Sequence, residues 1–397
     1  MDDPIRFTFG PSFPSLAEAG ASCGCTRITI GGACFDRIGQ LIHDDGPKTP
    51  GCVVVFFGRS ALRRCGFLDR LLGQLAPGPV KVVDGIGPNP TIASCQEAAD
   101  ALKAAGFVRT IIAVGGGSVM DTSKVANVAC GCGLSVANLL AKSAGKMRRY
   151  APMLLAVPTT AGSGSEVTPF ATVWDFGAGK KHSLEHPFAQ PTHAVLDARL
   201  TVGMDQDLTL TTACDALGHA MESLWSKRRT PISQAVAVQA MTTIVSELPK
   251  VMANPIDLDG RARLQWASLL GGLAISQTRT AAAHAISYAL TLRFAVPHGR
   301  AVGLLLPHVL AANLPRLPPD RIAPMRAAFG VGDDDRLAEA VAGFLQTQGL
   351  NETLASYQVQ QADVRGIAEQ STGPSRLANN IAPLSRDQIE AIITSAL

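Results

Sequence analysis

The chain has 397 residues, of which 47% are hydrophobic and 17% charged, and its formal net charge is +3. This length allows two domains with apolar cores, whereas so small a net charge argues against nucleic acid or an acidic membrane as a partner. The apolar runs are all too short to span a membrane.

The cysteines and the N-terminal residues bear on the cellular compartment. The nine cysteines include no C-x-x-C pair, and the chain begins with an acidic segment that lacks the basic and apolar regions of a signal peptide. Reduced thiols are typical of the cytosol. We therefore expect a cytoplasmic protein.

The first half of the chain alternates buried apolar runs with helical patterns. Strands are predicted at 26–30, 52–57, 80–83, 110–114 and 153–157, and helices at 33–43, 60–75 and 91–105. Strands that alternate with helices indicate a doubly wound parallel sheet, so the fold class is α/β and Rossmann-like in this half.

The character of the chain changes after about residue 197. Residues 174–191 are predicted to form a hairpin or loop, and helical periodicity then continues to the end, for example at 233–251, 259–276, 301–312 and 337–348. We predict a nucleotide-binding α/β domain over residues 1–198 and an all-helical domain, with metal and substrate sites, over 199–397.

A glycine-rich turn follows the predicted strand 110–114. Gly115, Gly116 and Gly117 precede Ser118, Asp121 and Lys124 at the start of a helix. Glycines allow close approach of a pyrophosphate, and a helix N-terminus favours anions. A tight turn in which Ser118 caps the helix is the alternative, since the pattern is not G-x-G-x-x-G.

A second polar loop follows the strand 153–157. It reads Pro158-Thr159-Thr160-Ala161-Gly162-Ser163-Gly164-Ser165-Glu166. Its hydroxyl and backbone N–H groups suit a ribose, a phosphate or a nicotinamide amide. A solvent-exposed loop that caps a helix at Ser165 is the alternative.

Four side chains in the second half have the chemistry of one metal site. Asp215 and His219 are four residues apart in a helical pattern, which places them on one face, and His284 and His298 follow. His298 lies between Pro297 and Gly299, at a helix end or in a loop. One carboxylate and three imidazoles suit Fe²⁺ or Zn²⁺.

Taken together, these motifs resemble the iron-containing (group III) alcohol dehydrogenases, which share their architecture with glycerol dehydrogenase and dehydroquinate synthase. The resemblance covers nearly the whole chain. It implies that Asp215, His219, His284 and His298 bind the metal. It also implies a set of cofactor contacts: Asn89, Gly115, Gly116, Gly117, Ser118, Asp121, Lys124, Thr159, Thr160 and Ser163.

Two positions bear on catalysis. Asp121 would orient the nicotinamide ring or its amide. Tyr288 stands four residues after His284, where the family's alcohol dehydrogenases often have a histidine. Its phenol could donate or relay a proton, or it could be a residue of the helical core. The departure from the family pattern leaves both roles open.

The stretch His284-Ala-Ile-Ser-Tyr288 is similar to that of a subgroup that reduces phosphonoacetaldehyde to 2-hydroxyethylphosphonate. In that subgroup a basic residue precedes the histidine by five positions, and here it is Arg279. A guanidinium matches phosphonate oxygens, so Arg279 is the candidate anion anchor, with Lys181 and His182 as further candidates. Ion pairs at a surface or subunit contact are the alternative for Arg279, and a solvated loop charge is the alternative for Lys181.

The end of the strand 52–57 bears on the choice of cofactor. Enzymes that use NAD often have an acidic residue there, whereas this chain has Gly58-Arg59-Ser60. A guanidinium and a hydroxyl suit a ribose 2′-phosphate. The prediction is that NADP(H) is preferred, with NAD(H) also possible, and that Arg59 and Ser60 contact it.

The combined interpretation is a metal-dependent, NAD(P)H-linked reductase of a small, anionic aldehyde, with phosphonoacetaldehyde as the first candidate. The alternatives are a dehydrogenase of another small alcohol, a lyase of the dehydroquinate synthase type, and a catalytically silent relative. Maleylacetate reductases tend to lack the metal ligands and fit less well. The family implies a homodimer or larger homo-oligomer.

Overall fold

The structure is a computed structural model that describes residues 5–9, 25–58, 66–142, 152–373 and 376–397. The chain divides into two compact units, residues 1–160 with 165–203, and residues 161–164 with 204–397. The predicted boundary after residue 198 lies close to this division and stays a prediction.

The first unit contains a mixed but mainly parallel sheet and a separate hairpin. Its strands are β1 Ile5–Phe9, β2 Thr26–Ile30, β3 Cys52–Gly58, β4 Val80–Ile86, β5 Val108–Gly115, β6 Met153–Pro158, β7 Phe170–Asp175, β8 Lys180–Glu185 and β9 His193–Leu196. Its α-helices are α1 Ile38–Asp45, α2 Phe67–Leu75, α3 Ile92–Ala104, α4 Gly117–Cys132 and α5 Val136–Lys142.

The main sheet has the strand order β1-β2-β9-β6-β5-β3-β4, and β7 pairs with β8 as an antiparallel hairpin. All neighbours in the main sheet are parallel except β1 and β2. The central strands are apolar on both faces because helices cover both sides. In β3, for example, Val54 and Phe56 belong to the core that includes α3 and α4 residues, whereas Val53 and Val55 belong to the core that includes α1 and α2 residues.

The second unit is helical. Its α-helices are α6 Gln206–Trp225, α7 Pro231–Ala253, α8 Leu258–Thr278, α9 Ala282–Phe294, α10 His298–Asn313, α11 Pro319–Phe329, α12 Leu337–Thr347, α13 Gln361–Ser371 and α14 Arg386–Ser395. Asp205 caps α6 by accepting from the Leu208 N–H, and Thr230 with Ser233 forms a capping box for α7.

Over the described ranges, no helix has the length and the apolar character that crossing a membrane requires.

Candidate metal centre and nucleotide-binding loops

Three of the four predicted ligands, the imidazoles, converge on one carboxylate oxygen of the fourth, Asp215. The Nε2 atoms of His284, His219 and His298 lie 3.2, 3.5 and 3.8 Å from Asp215 Oδ1. The ring of His219 stacks on that of His284 with centroids 4.8 Å apart. Donor atoms of Asp215, His284 and His298 all lie within 4.8 Å of one another. The donor set and its clustering fit a divalent ion such as Fe²⁺ or Zn²⁺.

Three helices supply these side chains, and glycine makes their close packing possible. Gly218 lies on α6 between the two ligands of that helix, and a Cβ there would come within 2.4 Å of Val302 and 3.3 Å of the His284 ring. A Cβ at Gly299 would come within 1.9 Å of the Thr211 carbonyl oxygen. These two glycines let α9 and α10 approach α6 closely enough for the ligand atoms to meet.

The histidine side chains of the site differ in their exposure to solvent. The side chains of His284 and His219 are 3% and 6% exposed, whereas that of His298 is 28% exposed. Pro297 precedes α10, so His298 is its first residue and lies at the helix end that the sequence predicted. A small ligand therefore has access from the side of His298.

The charge states of the four groups suit metal binding. Burial acts to raise the pKa of Asp215, but the surrounding imidazoles outweigh it and hold the pKa well below its usual range. Burial lowers the pKa of His219, which favours a neutral imidazole. Burial also acts to lower the pKa of His284, but Glu222 and Asp215 raise it to about 10. A metal that binds His284 Nε2 must therefore displace a proton.

Two further residues contact the imidazoles, and the sequence patterns did not assign them a role. Glu222 is fully buried, and its Oε2 lies 2.8 Å from His284 Nδ1. The hydroxyl of Ser287 donates to the His284 carbonyl oxygen at 2.8 Å, so its oxygen is free to accept from His298 Nδ1 at 3.3 Å. Glu222 lies three residues after His219, and this helical spacing was the signal that could have identified it.

Tyr288 lies in the middle of the helix that carries His284, and Arg279 lies in the turn before that helix. Tyr288 is 8% exposed, and its ring stacks on that of His298 at 6.0 Å between centroids. Arg279 follows α8 and has φ 59° and ψ 175°. This backbone region is almost restricted to glycine, so the arginine is held in a strained conformation.

The loops at the carboxyl ends of β5 and β6 lie together in the first unit. The Thr159 N–H donates to the Gly115 carbonyl oxygen at 3.1 Å, and a Cβ at Gly116 would lie 3.2 Å from Thr160 Oγ1. Helix α4 begins at Gly117 with Gly116 as its N-cap, so Ser118 is inside the helix rather than its cap. An open helix N-terminus beside the carboxyl edge of a parallel sheet suits a nucleotide phosphate.

Asn89 and Ser118 are joined directly. The Asn89 N–H donates to Ser118 Oγ at 3.2 Å, and the exposed Asn89 has a positive φ of 55°. Gly116, Gly117 and Ser118 are only half-buried. The structure thus brings Asn89 and the glycine-rich turn to one place. Ser163 belongs to the second unit by its packing.

Asp121 and Lys124 make their contacts within the first unit. Asp121 accepts from Ser165 Oγ at 2.7 Å and from the Thr172 N–H at 2.8 Å. Burial raises its pKa, although Lys124 and these hydrogen bonds oppose the shift.

Lys124 has no exposed surface, and its ammonium donates to oxygens of Ser165, Thr168 and Phe170 at 2.6 to 2.9 Å. The sequence placed Lys124 among the cofactor contacts. In the structure its ammonium donates to oxygens of the 165–170 segment, and a contact with the cofactor stays a prediction.

The remaining candidates are on β8 or outside the described residues. Lys181 donates to Ser183 Oγ at 2.7 Å, and His182 Nε2 lies 4.0 Å from Asp175 Oδ2. Burial lowers the pKa of His182. Because neighbouring residues of a strand point to opposite faces, Lys181 and His182 do not share a face. Arg59 and Ser60 lie outside the residues that the structure describes.

Comparisons with known proteins identify the family of this chain. The model of the iron-containing alcohol dehydrogenases matches residues 25–198, and that of the C-terminal part of the Fe-containing alcohol dehydrogenase family matches residues 209–397. Phosphonoacetaldehyde reductase of Streptomyces viridochromogenes is 32% identical over 342 residues, which are 82% of this chain and 85% of that protein.

Two sulfoacetaldehyde reductases are also similar. That of Bilophila wadsworthia is 32% identical over 326 residues, 77% of this chain and 80% of that protein. The crystal structure of the enzyme from Bifidobacterium kashiwanohense in complex with NAD⁺ matches with a TM-score of 0.84 at 26% identity, and covers 93% of this chain and 96% of that one.

The chain therefore belongs to the iron-containing alcohol dehydrogenase family, and it is an oxidoreductase of that family. The predicted fold class, a parallel α/β half followed by a helical half, is confirmed.

Proposed function

We propose that this protein reduces a two-carbon aldehyde with an anionic head group, and that phosphonoacetaldehyde is its substrate. The observation that carries the proposal is the strained arginine at the start of the segment that leads to His284. Two relatives at 32% identity are named for substrates of this kind, one with a phosphonate and one with a sulfonate.

The strain at Arg279 supports a functional side chain at this position. A residue with φ 59° and ψ 175° costs roughly 1–3 kcal/mol unless it is glycine. The surrounding contacts hold the turn in place, because Asn379 Nδ2 donates to the carbonyl oxygens of Thr278 at 2.7 Å and Thr280 at 3.0 Å. Glycine would fit the same backbone without strain, so the guanidinium is the feature that needs an explanation.

We propose that Asp215, His219, His284 and His298 hold the divalent ion, Fe²⁺ or Zn²⁺. When bound, such an ion supplies Lewis-acid stabilisation of the negative charge that develops on a carbonyl oxygen during hydride transfer. Tyr288 stacks on the most exposed of the four side chains, so its phenol is the candidate to pass a proton to the alcohol product.

We propose that the glycine-rich turn, Asn89, Thr159, Thr160 and Ser163 bind the nicotinamide cofactor, with Asp121 beside its ring. The cofactor supplies the hydride. Preference for NADPH over NADH rests on Arg59 and Ser60 in the sequence, whereas the solved sulfoacetaldehyde reductase contains NAD⁺. Equal kcat/KM for NADPH and NADH would contradict this preference.

The anionic head group is tested by a substrate panel with three arginine variants. Oxidation of NADPH is followed at 340 nm with purified protein loaded with Fe²⁺ or Zn²⁺. The substrates are phosphonoacetaldehyde, sulfoacetaldehyde and an uncharged aldehyde of similar size. We expect Arg279→Ala and Arg279→Gly to lower kcat/KM for the anionic aldehyde by about 10- to 100-fold, as expected for loss of a charged hydrogen bond. Activity with the uncharged aldehyde should change less than about threefold.

The two Arg279 variants separate function from strain. Arg279→Gly should raise the free energy of unfolding by about 1–2 kcal/mol, whereas Arg279→Ala should not. Arg293→Ala, on α9 and paired with Asp363, is the matched control and should keep substrate preference. Equal rates with charged and uncharged aldehydes in the parent protein would contradict the anion proposal.

A sulfonate substrate is the second candidate, because two similar proteins are sulfoacetaldehyde reductases. The ratio of kcat/KM for the two anionic aldehydes decides between them. Activity with simple aldehydes alone would indicate a dehydrogenase of another small alcohol. Turnover without net oxidation of NADPH would indicate a lyase of the dehydroquinate synthase type. We also propose that the enzyme works in the cytoplasm as a homodimer or larger homo-oligomer.

A further inference from the structure

Glu222 is a buried carboxylate that makes contacts with two parts of the proposed metal centre. It lies on α6 at the position seven residues after Asp215 and three after His219, so the same helix face carries all three. The side chain has no exposed surface. A carboxylate without solvent needs hydrogen-bond donors on both oxygens.

The donors to Glu222 come from α9 and the residues just before it. Its Oε2 accepts from the Ala281 N–H at 2.6 Å, and its Oε1 accepts from the Ala283 N–H at 2.6 Å. Ala281 is the N-cap of the helix and Ala283 lies in its first turn, where a negative charge is favoured. One side chain of α6 thereby fixes where α9 begins.

A further contact of Glu222 reaches the imidazole of His284. Its Nδ1 lies 2.8 Å from Glu222 Oε2, while its Nε2 faces Asp215 Oδ1 at 3.2 Å. Both oxygens of Glu222 act as acceptors here, so the Nδ1 atom carries the hydrogen. Once a metal has displaced the Nε2 proton, that tautomer leaves the Nε2 lone pair for the metal.

We propose that Glu222 is a positioning residue of the metal centre: it fixes the tautomer and orientation of His284 and joins the ligand helices α6 and α9. The proposal rests on the proposed metal site. Its charge together with that of Asp215 balances a divalent ion, which strengthens the bond from the imidazole. Glutamine cannot replace it, because an amide has only one accepting atom where two oxygens accept.

The test measures metal binding rather than turnover. Zn²⁺ affinity is determined by competition with a chromophoric chelator, and Co²⁺ spectra report the ligand field. Glu222→Gln should lower Zn²⁺ affinity by about 10- to 100-fold and shift the Co²⁺ bands. Glu247→Gln is the control. It removes another buried carboxylate, on α7, which contacts Lys250 and Arg263, and it should leave both readouts unchanged.

The outcomes are separable. A Glu222→Gln protein that binds Zn²⁺ as tightly as the parent would overturn the role of Glu222 and leave the metal centre intact. A parent protein that binds neither Zn²⁺ nor Co²⁺ would overturn the metal centre itself, and with it this role.

A second measurement needs no variant at position 222, so it stays decisive if Glu222→Gln does not fold. Nitrogen-15 NMR of labelled histidines reports the tautomer of His284, with His284→Gln to assign its signal. We expect hydrogen on Nδ1 in the Zn²⁺-loaded protein. Zinc on Nδ1 with hydrogen on Nε2 would be incompatible with the proposal.

Discussion

Lys124 illustrates how the packing of one residue determines its contacts. Its ammonium is enclosed by oxygens of the segment from Ser165 to Phe170 and has no contact with solvent. Burial lowers the pKa of Lys124 to about 8, although Asp121 and Glu166 act to raise it. Charged hydrogen bonds therefore offset only part of the cost of burying this charge.

Removal of this ammonium should destabilise the fold. Lys124→Met leaves several buried oxygens without their donor and removes the positive charge that acts on Asp121 and Glu166, so the free energy of unfolding should fall by roughly 3–5 kcal/mol. Urea denaturation, monitored by circular dichroism, measures the free energy of unfolding of the variant and of the parent protein. Lys103→Met, which removes an exposed lysine on α3, should change it by less than about 0.5 kcal/mol. A stable Lys124→Met protein that no longer binds NADPH would favour the cofactor role predicted from the sequence.

Residue patterns predicted which side chains lie close together better than they predicted the contacts of those side chains. The spacing of Asp215 and His219 was sufficient to place them on one helix face. The partners of Glu222 and Lys124 could not be predicted, because their donors and acceptors lie about 40 to 60 residues away in the chain. A sequence gives no signal for such pairs until the elements that carry them are packed.

Strand β9 carries a histidine whose protonation the fold opposes. His193 is 6% exposed, and its Nε2 lies 3.5 Å from Asp45 Oδ2. Burial lowers its pKa to about 4, although Asp45 acts to raise it. The unfolded chain has the ordinary pKa of about 6.5 and so binds more protons between these two values. Stability therefore falls as the pH drops from about 6.5 towards 4.

Replacing His193 should remove this part of the pH dependence. Between pH 7.5 and pH 5.5 the parent protein should lose about 1.4 kcal/mol more unfolding free energy than His193→Asn. Denaturant titrations of the full chain at both pH values measure the difference. His43→Asn, which changes an exposed residue of α1, should behave like the parent. The same pH dependence in parent and His193→Asn would contradict the assignment.

At the level of elements, most of the sheet and the helices were predictable. The predicted strand at 26–30 coincides with β2, and those at 52–57, 110–114 and 153–157 match β3, β5 and β6 to within two residues at each end. These strands are apolar runs next to glycine or proline. Because both faces of the sheet are buried, such runs lack the alternation of apolar and polar residues that marks a half-exposed strand. Strand β1 was not predicted, because a five-residue edge strand is fixed mainly by its pairing with β2.

At the scale of the whole chain, the two units divide the proposed chemistry. The described candidates for nucleotide binding belong to the first unit, except for Ser163, and the four candidate metal ligands belong to the second. Each unit has its own packed interior. Binding of the cofactor should therefore persist when the metal is removed.

This division predicts the effect of a chelator. The chelated protein should lose activity and melt at a lower temperature, because an ion that binds only the folded state stabilises it. Its NADPH dissociation constant, measured by nicotinamide fluorescence, should stay within about threefold of that of the loaded protein. Asp215→Asn should reproduce the chelated state. A more than tenfold loss of NADPH affinity after chelation would contradict the division.

The distribution of the four candidate ligands over three helices also has a kinetic consequence. His219 and His284 are 65 residues apart, and α7 and α8 lie between them. We expect contacts of such separation to form late in folding, since the closure of a long loop must precede them. We therefore do not expect the centre to act as an early folding nucleus. An ion would then bind after the helices have packed. Selectivity between iron and zinc would therefore depend on the geometry of the nearly folded site and on which ion is available in the cell.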